Sequence, residues 1–198
     1  MPVLSALDRA APRVVAIGGS TRPGSTTEQL LRMVVADIHP EAEISMFCGP
    51  DLLLPHYAPG MLGAPGHELV EAVRRADVVL VGSPGYHGSL SGTVKNALDY
   101  LEELADDEHA YLDGKVVGCV ATAYGWQAAV NTLGALRPIV AALRGWCAPY
   151  GIAVNVTDNY LDASGSLRAD RLAGQIDILT SQIREFLRMS GRIAVQPA

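Results

Sequence analysis

The chain has 198 residues, of which 49% are hydrophobic and 18% charged, and its formal net charge is −6. This composition predicts one core-rich domain over residues 1–198, with its core from about residue 12 to about residue 190, and excludes a disordered chain. The negative charge excludes the basic footprint of a nucleic-acid binder. No apolar run reaches the roughly 18 residues of a membrane span, and the first residues lack a signal-peptide pattern, so we expect a cytoplasmic protein without membrane contact.

Five apolar stretches predict strands that are buried on both faces. They are residues 13–19, 42–47, 77–83, 115–123 and 151–156. Nearly continuous apolar strands are typical of a parallel sheet that helices cover on both sides.

Five helical patterns alternate with these strands. They are residues 27–38, 67–76, 92–104, 128–146 and 168–189. Pro138 is expected to kink or break the fourth helix, and residues 52–66, rich in Pro and Gly, predict a long loop. The alternation predicts an α/β, doubly wound domain with the flavodoxin-like strand order 2-1-3-4-5. Ligands of such sheets bind beyond the carboxyl ends of the strands, so the loops after strands one, three and four are the expected site.

The first of these loops has the composition of a phosphate site. It lacks the G-x-G-x-x-G pattern, and Ser25 stands where a triphosphate-binding loop needs lysine. Hydroxyl groups, helix N-terminal N–H groups and one arginine suit a single phosphate, such as that of FMN. The candidate ligands are Ser20, Arg22, Ser25, Thr26 and Thr27. The alternative is that Ser25 only caps the helix, with Glu28 completing a capping box.

The loop after the third strand is built for close approach of the backbone to a flat ring. Pro84, Gly85 and Gly88 form a turn in which the backbone is accessible, and Tyr86 is placed to cover an apolar ring edge. The alternative is an ordinary turn with a surface tyrosine.

Together these loops resemble the signatures of the NAD(P)H-dependent FMN reductase family. The family pattern G-S-x-R-x-x-S is matched by Gly19, Ser20, Arg22 and Ser25. The pattern P-x-Y-x-x-S-x-x-G-x-x-K-N-x-x-D is matched by Pro84, Tyr86, Ser89, Gly92, Lys95, Asn96 and Asp99. Residues 114–143 are most similar to the branch that supplies reduced flavin to two-component monooxygenases.

The resemblance implies that FMN places its phosphate on the first loop and its ring on the other two. The implied ring contacts are Pro84, Gly85, Tyr86, His87, Gly88, Ser89, Ala123, Tyr124, Gly125 and Trp126. Backbone N–H groups of the loop after the fourth strand would stabilise charge developing on the ring. His87 replaces a common asparagine of the family, and Tyr124 and Trp126 stand where small residues are usual. Trp126 is alternatively a packing or interface residue.

The function implied is hydride transfer from NAD(P)H to FMN, with reduced flavin passed to a monooxygenase. The alternatives are a reductase that retains FMN and reduces quinones, azo compounds or metal oxyanions, a flavodoxin-like electron carrier, and a regulatory flavin-binding protein. We assign no catalytic side chain and no metal ligand, and we expect a homodimer or homotetramer. Lys95, Asn96 and Asp99 are expected to fix the loop and helix. The three cysteines are expected to be unpaired, inert thiols.

Overall fold

The structure, a computed structural model, describes residues 11–193. The outer parts of the predicted domain and the residues used to exclude a signal peptide lie outside this range. The strands are β1 Arg13–Gly18, β2 Glu43–Cys48, β3 Val78–Tyr86, β4 Ser89–Leu90, β5 Val116–Ala123, β6 Trp146–Cys147 and β7 Ile152–Asn155. The α-helices are α1 Thr26–Ile38, α2 Gly63–Arg75, α3 Gly92–Asp99, α4 Trp126–Ala142 and α5 Ala169–Met189. Two short 3₁₀ segments cover Gly49–Leu52 and Tyr100–Leu104.

The sheet confirms the doubly wound α/β prediction, but the expected count of five strands is wrong. Its main path is β2-β1-β3-β5-β6, with parallel pairing throughout, and β7 also pairs with β5. Two short strands, β6 and β7, therefore share the edge of the sheet beyond β5. Pro149 lies between them, where its missing N–H leaves no donor for pairing with β5. The remaining strand, β4, folds back antiparallel on β3.

Several helix boundaries also differ from the sequence prediction. The helix α2 begins at Gly63, inside the predicted loop, and the third helical region turns into 3₁₀ geometry after Asp99. Pro138 lies inside α4 without ending it, because it is on the exposed face, where water replaces the lost backbone hydrogen bond.

The core has two layers, one on each face of the sheet. Successive residues of β1 alternate between them, with Val14 and Ala16 packing on one side and Val15 and Ile17 on the other, as the period of a strand requires. The helices α1 and α5 cover the first face, and α2, α3 and α4 cover the second. Among residues 11–193, no helix combines the length and apolarity that a membrane crossing needs.

Glycines let the first loop leave the sheet between β1 and β3. A Cβ atom on Gly18 would lie 2.0 Å from the carbonyl oxygen of Gly82, so the two backbones touch there. The N–H of Gly19 donates to the same oxygen at 3.1 Å. This contact places the loop at the topological switch point of the sheet.

Candidate functional site

A small cleft lies at the carboxyl ends of β1, β3 and β5, and its volume is about 70 Å³. It brings together most of the predicted site. The predicted residues that line it are Ser20, Arg22, Ser25, Thr26, Thr27, Pro84, Gly85, Tyr86, Ala123 and Tyr124. The predicted residues outside its lining are His87, Gly88, Ser89, Gly125 and Trp126, and the lining also includes two residues that the sequence analysis missed, Thr122 and Val156.

At the start of α1, one serine both caps the helix and lines the cleft. Ser25 is the N-cap, and its Oγ accepts a hydrogen bond from the N–H of Glu28 at 3.3 Å. The Glu28 carboxylate accepts from the N–H of Gly24 at 2.9 Å, one residue earlier than a capping box requires. Arg32 pairs with the same carboxylate at 2.8 Å, so the buried negative charge beneath the loop is balanced.

Arg22 is the exposed cation of the first loop. Its backbone N–H donates to Ser20 Oγ at 3.2 Å, which orders the loop, while its side chain makes no ion pair within residues 11–193. A guanidinium without a carboxylate partner, next to hydroxyl groups and a helix N-terminus, is suited to a phosphate.

Three threonine hydroxyls connect the first loop to β5. The Oγ1 atoms of Thr27 and Thr122 are 2.6 Å apart, and Thr26 Oγ1 lies 3.5 Å from the same Thr122 oxygen. Thr122 is buried. This cluster holds the first loop against β5.

His87 and Gly88 form a tight turn rather than a wall of the cleft. Tyr86 pairs with Ser89 across the β3–β4 hairpin, and the two residues between them have φ angles of 50° and 85°. Positive φ at both central positions is the requirement of a type I′ hairpin turn. Ser83 Oγ accepts from the N–H of Ser91 at 2.9 Å and closes the base of this loop.

Gly85 allows α4 to pack over the hairpin. A Cβ atom at Gly85 would lie 2.7 Å from Thr132 Oγ1 and 2.9 Å from the Cβ of Ala123. Thr132 Oγ1 in turn donates to the carbonyl of Ser89 at 3.3 Å. A side chain at position 85 would therefore push α4 away from the cleft.

Residues 155–158, here called the clamp segment, hold the loop after β5. The N–H of Val156 donates to the carbonyl of Ala123 at 2.9 Å. The buried Asn155 accepts at Oδ1 from the N–H of Gly125 at 2.8 Å and from the N–H and hydroxyl of Thr157 at 3.1 and 2.8 Å. The Gly125 N–H is thus engaged by protein, and Asn155 is a positioning residue that the sequence analysis missed.

Trp126 is tied to the clamp segment instead of facing the cleft. Its indole Nε1 donates to Asp158 Oδ2 at 3.2 Å. Its ring packs edge-on against that of Tyr160, with the two ring centroids 6.2 Å apart. These contacts favour the packing interpretation of Trp126. Tyr124 and Tyr86 do line the cleft, and because 82% and 51% of their surfaces are exposed, both leave aromatic surface open to solvent there.

The residues of the long motif on α3 make contacts within the helix and with a neighbouring loop. Lys95 and Asp99 form an ion pair one helical turn apart. Asn96 accepts from the N–H of Tyr57 and donates to the carbonyl of Pro55, both at 2.9 Å. These contacts agree with the expectation that the three side chains fix the helix and a loop.

Known proteins that resemble this chain in sequence or in structure are flavoenzymes. The chain is 36% identical over 99 residues to an FMN-dependent NADPH-azoreductase of Staphylococcus aureus, and the match covers 50% of this chain and 49% of the relative. The chain thus spans about half the length of the curated relatives it matches.

Solved structures share the fold at low sequence identity. FerB, a flavoenzyme NAD(P)H:(acceptor) oxidoreductase from Paracoccus denitrificans, superposes at a TM-score of 0.70 with 20% identity, over 89% of this chain and 99% of FerB. An NADH:FMN oxidoreductase, EMOB, in its apo form superposes at 0.65 with 23% identity, over 94% and 92% of the two chains. These likenesses confirm the flavodoxin-like α/β fold. Residues 12–158 match the family described as NADPH-dependent FMN reductase, and the chain therefore belongs to that family.

Proposed function

We propose that this protein is an NAD(P)H:FMN oxidoreductase that passes reduced flavin to a flavin-dependent monooxygenase. The observation that carries the proposal is the cleft itself, at the switch point of the sheet. There an arginine that has no ion-pair partner among residues 11–193, a helix N-terminus and exposed aromatic surface meet. Family membership over residues 12–158 supports it.

The donor set fits the phosphate of FMN. Arg22 supplies a charge-assisted contact, and Ser20, Ser25 and Thr26 offer hydroxyl groups at the start of α1. The helix dipole adds partial positive charge at the same place. A site with one arginine and no lysine suits one phosphate better than a triphosphate.

The remaining lining orients a flat ring. When bound, FMN supplies an acceptor for the hydride of NAD(P)H. Pro84 and Gly85 would offer backbone to the ring, and Tyr86 and Tyr124 would offer aromatic surface that excludes water from part of it. Hydride transfer requires no side-chain acid or base, so the work of the protein is binding and orientation.

The second candidate is an NAD(P)H-dependent reductase that keeps FMN bound and reduces quinones, azo compounds or metal oxyanions. Two observations favour it: the match to an azoreductase and the exposed Tyr124 beside the cleft, where the family commonly has a small residue. Stacking on this tyrosine would slow the release of the flavin.

We further propose a cytoplasmic homodimer or homotetramer. The start of α4 presents Trp126 and Val130, which are 44% and 55% exposed, and exposed apolar residues beside a site are common at subunit contacts. Light scattering at micromolar concentration tests this, and a monomer would contradict it.

One anaerobic experiment distinguishes the two functions. The purified protein is mixed with FMN and either nicotinamide, bleaching of the flavin is followed, and the mixture is passed through a gel-filtration column. Bleaching followed by loss of flavin supports release to a monooxygenase, and bleaching with co-eluting flavin supports the retaining reductase. No bleaching with either nicotinamide contradicts both.

A further inference from the structure

Two of the three cysteines lie together on the sheet face that α4 covers, away from the cleft. Cys147 of β6 is the register partner of Val117 of β5. Cys119 is two residues further along β5, so its side chain points to the same face. The two Sγ atoms are 3.9 Å apart, and both cysteines are free thiols.

The two thiols have different access to solvent. Cys119 is central in the sheet and 1% exposed, whereas Cys147 is partly exposed in a two-residue strand at the sheet edge. A small polar reagent therefore reaches Cys147 first.

The surroundings also activate Cys147. The hydrogen bond between the two sulfur atoms, together with the nearby positive charge of Arg137, lowers the pKa of Cys147 against the opposing effect of burial. The same interaction and burial raise the pKa of Cys119. Arg137 is held in place by the carbonyl of Pro149, to which it donates at 2.6 Å. Of the two thiols, Cys147 is therefore the one that more readily forms the nucleophilic thiolate.

We propose that Cys119 and Cys147 form a hydroperoxide-oxidisable dithiol in which Cys147 is the attacking residue and Cys119 is the resolving residue. In the first step, the Cys147 thiolate attacks one oxygen of hydrogen peroxide, the O–O bond breaks, hydroxide leaves and Cys147 becomes a sulfenic acid. In the second step, Cys119 sulfur attacks Cys147 sulfur, the S–O bond breaks, and the departing hydroxide takes the Cys119 proton to form water. One peroxide thus takes two electrons from two thiols and leaves one disulfide.

Formation of the disulfide requires the two cysteines to move closer together. A disulfide has a sulfur–sulfur distance of about 2.05 Å, so the two atoms must approach by roughly 2 Å. Diagonal neighbours on adjacent strands have Cα atoms about 7–8 Å apart, which is beyond the usual span of a disulfide, so the backbone must move as well. Cys147 can supply that movement, because β6 is only two residues long and is followed by an irregular segment that contains Pro149.

The third cysteine provides an internal control. Cys48 is buried at the end of β2, and burial, reinforced by the Glu28 carboxylate, raises its pKa to about 12. It remains a protonated thiol under the conditions that make Cys147 reactive, so peroxide should spare it.

Peptide mapping of the wild-type protein tests the proposal directly. The protein is treated with a small excess of hydrogen peroxide, and its free thiols are alkylated after denaturation. We expect the count of free thiols to fall from three to one, with a disulfide joining the tryptic peptides 116–144 and 145–168, which carry Cys119 and Cys147. Three remaining thiols, or a disulfide that includes Cys48 or a second chain, would overturn the proposal.

Two variants assign the roles of the cysteines. In Cys119→Ala, dimedone should trap a sulfenic acid on Cys147, and the pH midpoint of Cys147 alkylation should rise above that of the wild type, because its hydrogen-bond partner is gone. Cys48→Ser should behave as the wild type in both assays. Sulfenic acid on Cys119 in a Cys147→Ser variant, formed as fast as the wild-type disulfide, would reverse the roles and contradict the assignment. If the core variants do not fold, the wild-type peptide map still decides.

Discussion

Arg22 carries the electrostatic part of the proposed phosphate site. We expect Arg22→Ala to weaken FMN binding by about 1.5–3 kcal/mol, the usual value of a hydrogen bond to a charged group. Riboflavin, which lacks the phosphate, should bind equally to both proteins. Fluorescence titration measures both ligands, and Arg75→Ala, an exposed arginine of α2 outside the cleft, is the matched control. An unchanged dissociation constant for FMN would remove Arg22 from the site.

The hairpin turn predicts opposite outcomes for two neighbouring residues. Asparagine is favoured at the first position of a type I′ turn, so His87→Asn should fold normally and reduce FMN within about twofold of the wild-type rate. Gly88→Val should cost about 1–2 kcal/mol of stability. The cause is the positive φ of Gly88, since a Cβ atom there meets nothing within 4 Å. Urea unfolding and NAD(P)H oxidation assays measure the two effects. Loss of activity in His87→Asn with a silent Gly88→Val would mean that the imidazole itself acts.

Positions at the cleft were predictable where the residues concerned are neighbours in sequence. The hydroxylated loop with Ser20, Arg22 and Ser25 shows its chemistry within six residues. Thr122 and Asn155 could not be found in this way. Their partners, Thr27 and Gly125, lie 95 and 30 residues away, and only the parallel pairing of the strands brings them together.

The clamp segment is an element whose loss should affect both stability and the cleft. Asn155→Ala leaves the N–H groups of Gly125 and Thr157 without their acceptor, and we expect a loss of about 2–3 kcal/mol in the free energy of unfolding. FMN affinity should also fall, because Tyr124 is no longer held at the cleft. Asn131→Ala, on the exposed face of α4, should change stability by less than about 0.5 kcal/mol. Equal stability of Asn155→Ala and the control, measured in urea, would contradict the role of the clamp.

The elements that the sequence misplaced have physical explanations. The helix α2 begins in a Gly–Ala–Pro–Gly stretch that is typical of loops. Pro65 is tolerated there because the first N–H groups of a helix have no intrahelical partner. Gly66 is required for packing, since its Cβ would lie 2.3 Å from the ring of Tyr100. The division between β6 and β7 depends on pairing with β5, which periodicity does not reveal.

At the scale of the whole molecule, an ion pair fastens the segment that follows α5 to the edge of the sheet opposite the cleft. Arg192 donates to Asp77 at 2.7 Å and to the carbonyl of Gly114 at 2.9 Å, and the Asp77 side chain is 3% exposed. Arg192→Ala should cost about 3 kcal/mol, because it leaves a buried carboxylate with one cation fewer. Arg188→Ala removes only an exposed pair with Glu185 and should cost less than about 1 kcal/mol. Thermal or urea unfolding measures the stability of both variants. Equal losses of stability would show that the Arg192–Asp77 ion pair stabilises the fold no more than an exposed pair does.

Lys115, close to this ion pair, should make stability rise with pH on the alkaline side of neutrality. Burial, followed by the charge of Arg192, lowers the pKa of Lys115 from 10.5 to about 8 in the folded protein. Its Nζ donates to the carbonyls of Arg74 and Ala76 at 3.1 and 3.0 Å, contacts that the neutral amine retains. Between pH 8 and 10.5 the unfolded chain therefore binds more protons, and the free energy of unfolding gains up to about 3 kcal/mol from this group.

Comparison of variants isolates the contribution of Lys115 to stability. The buried Cys48 thiol has the opposite effect on the pH dependence of stability, but it is present in every protein compared, so its effect cancels. Its pKa is raised from 9.0 to about 12 by folding, so its own contribution to stability falls as the pH rises above 9. Urea unfolding of the wild type, Lys115→Met and the exposed-lysine control Lys95→Met is measured at pH 7.5 and again at pH 10. Between the two pH values, we expect the free energy of unfolding of the wild type and of Lys95→Met to rise by roughly 2 kcal/mol relative to that of Lys115→Met. A constant difference between the wild type and Lys115→Met would show that Lys115 keeps its proton in the fold.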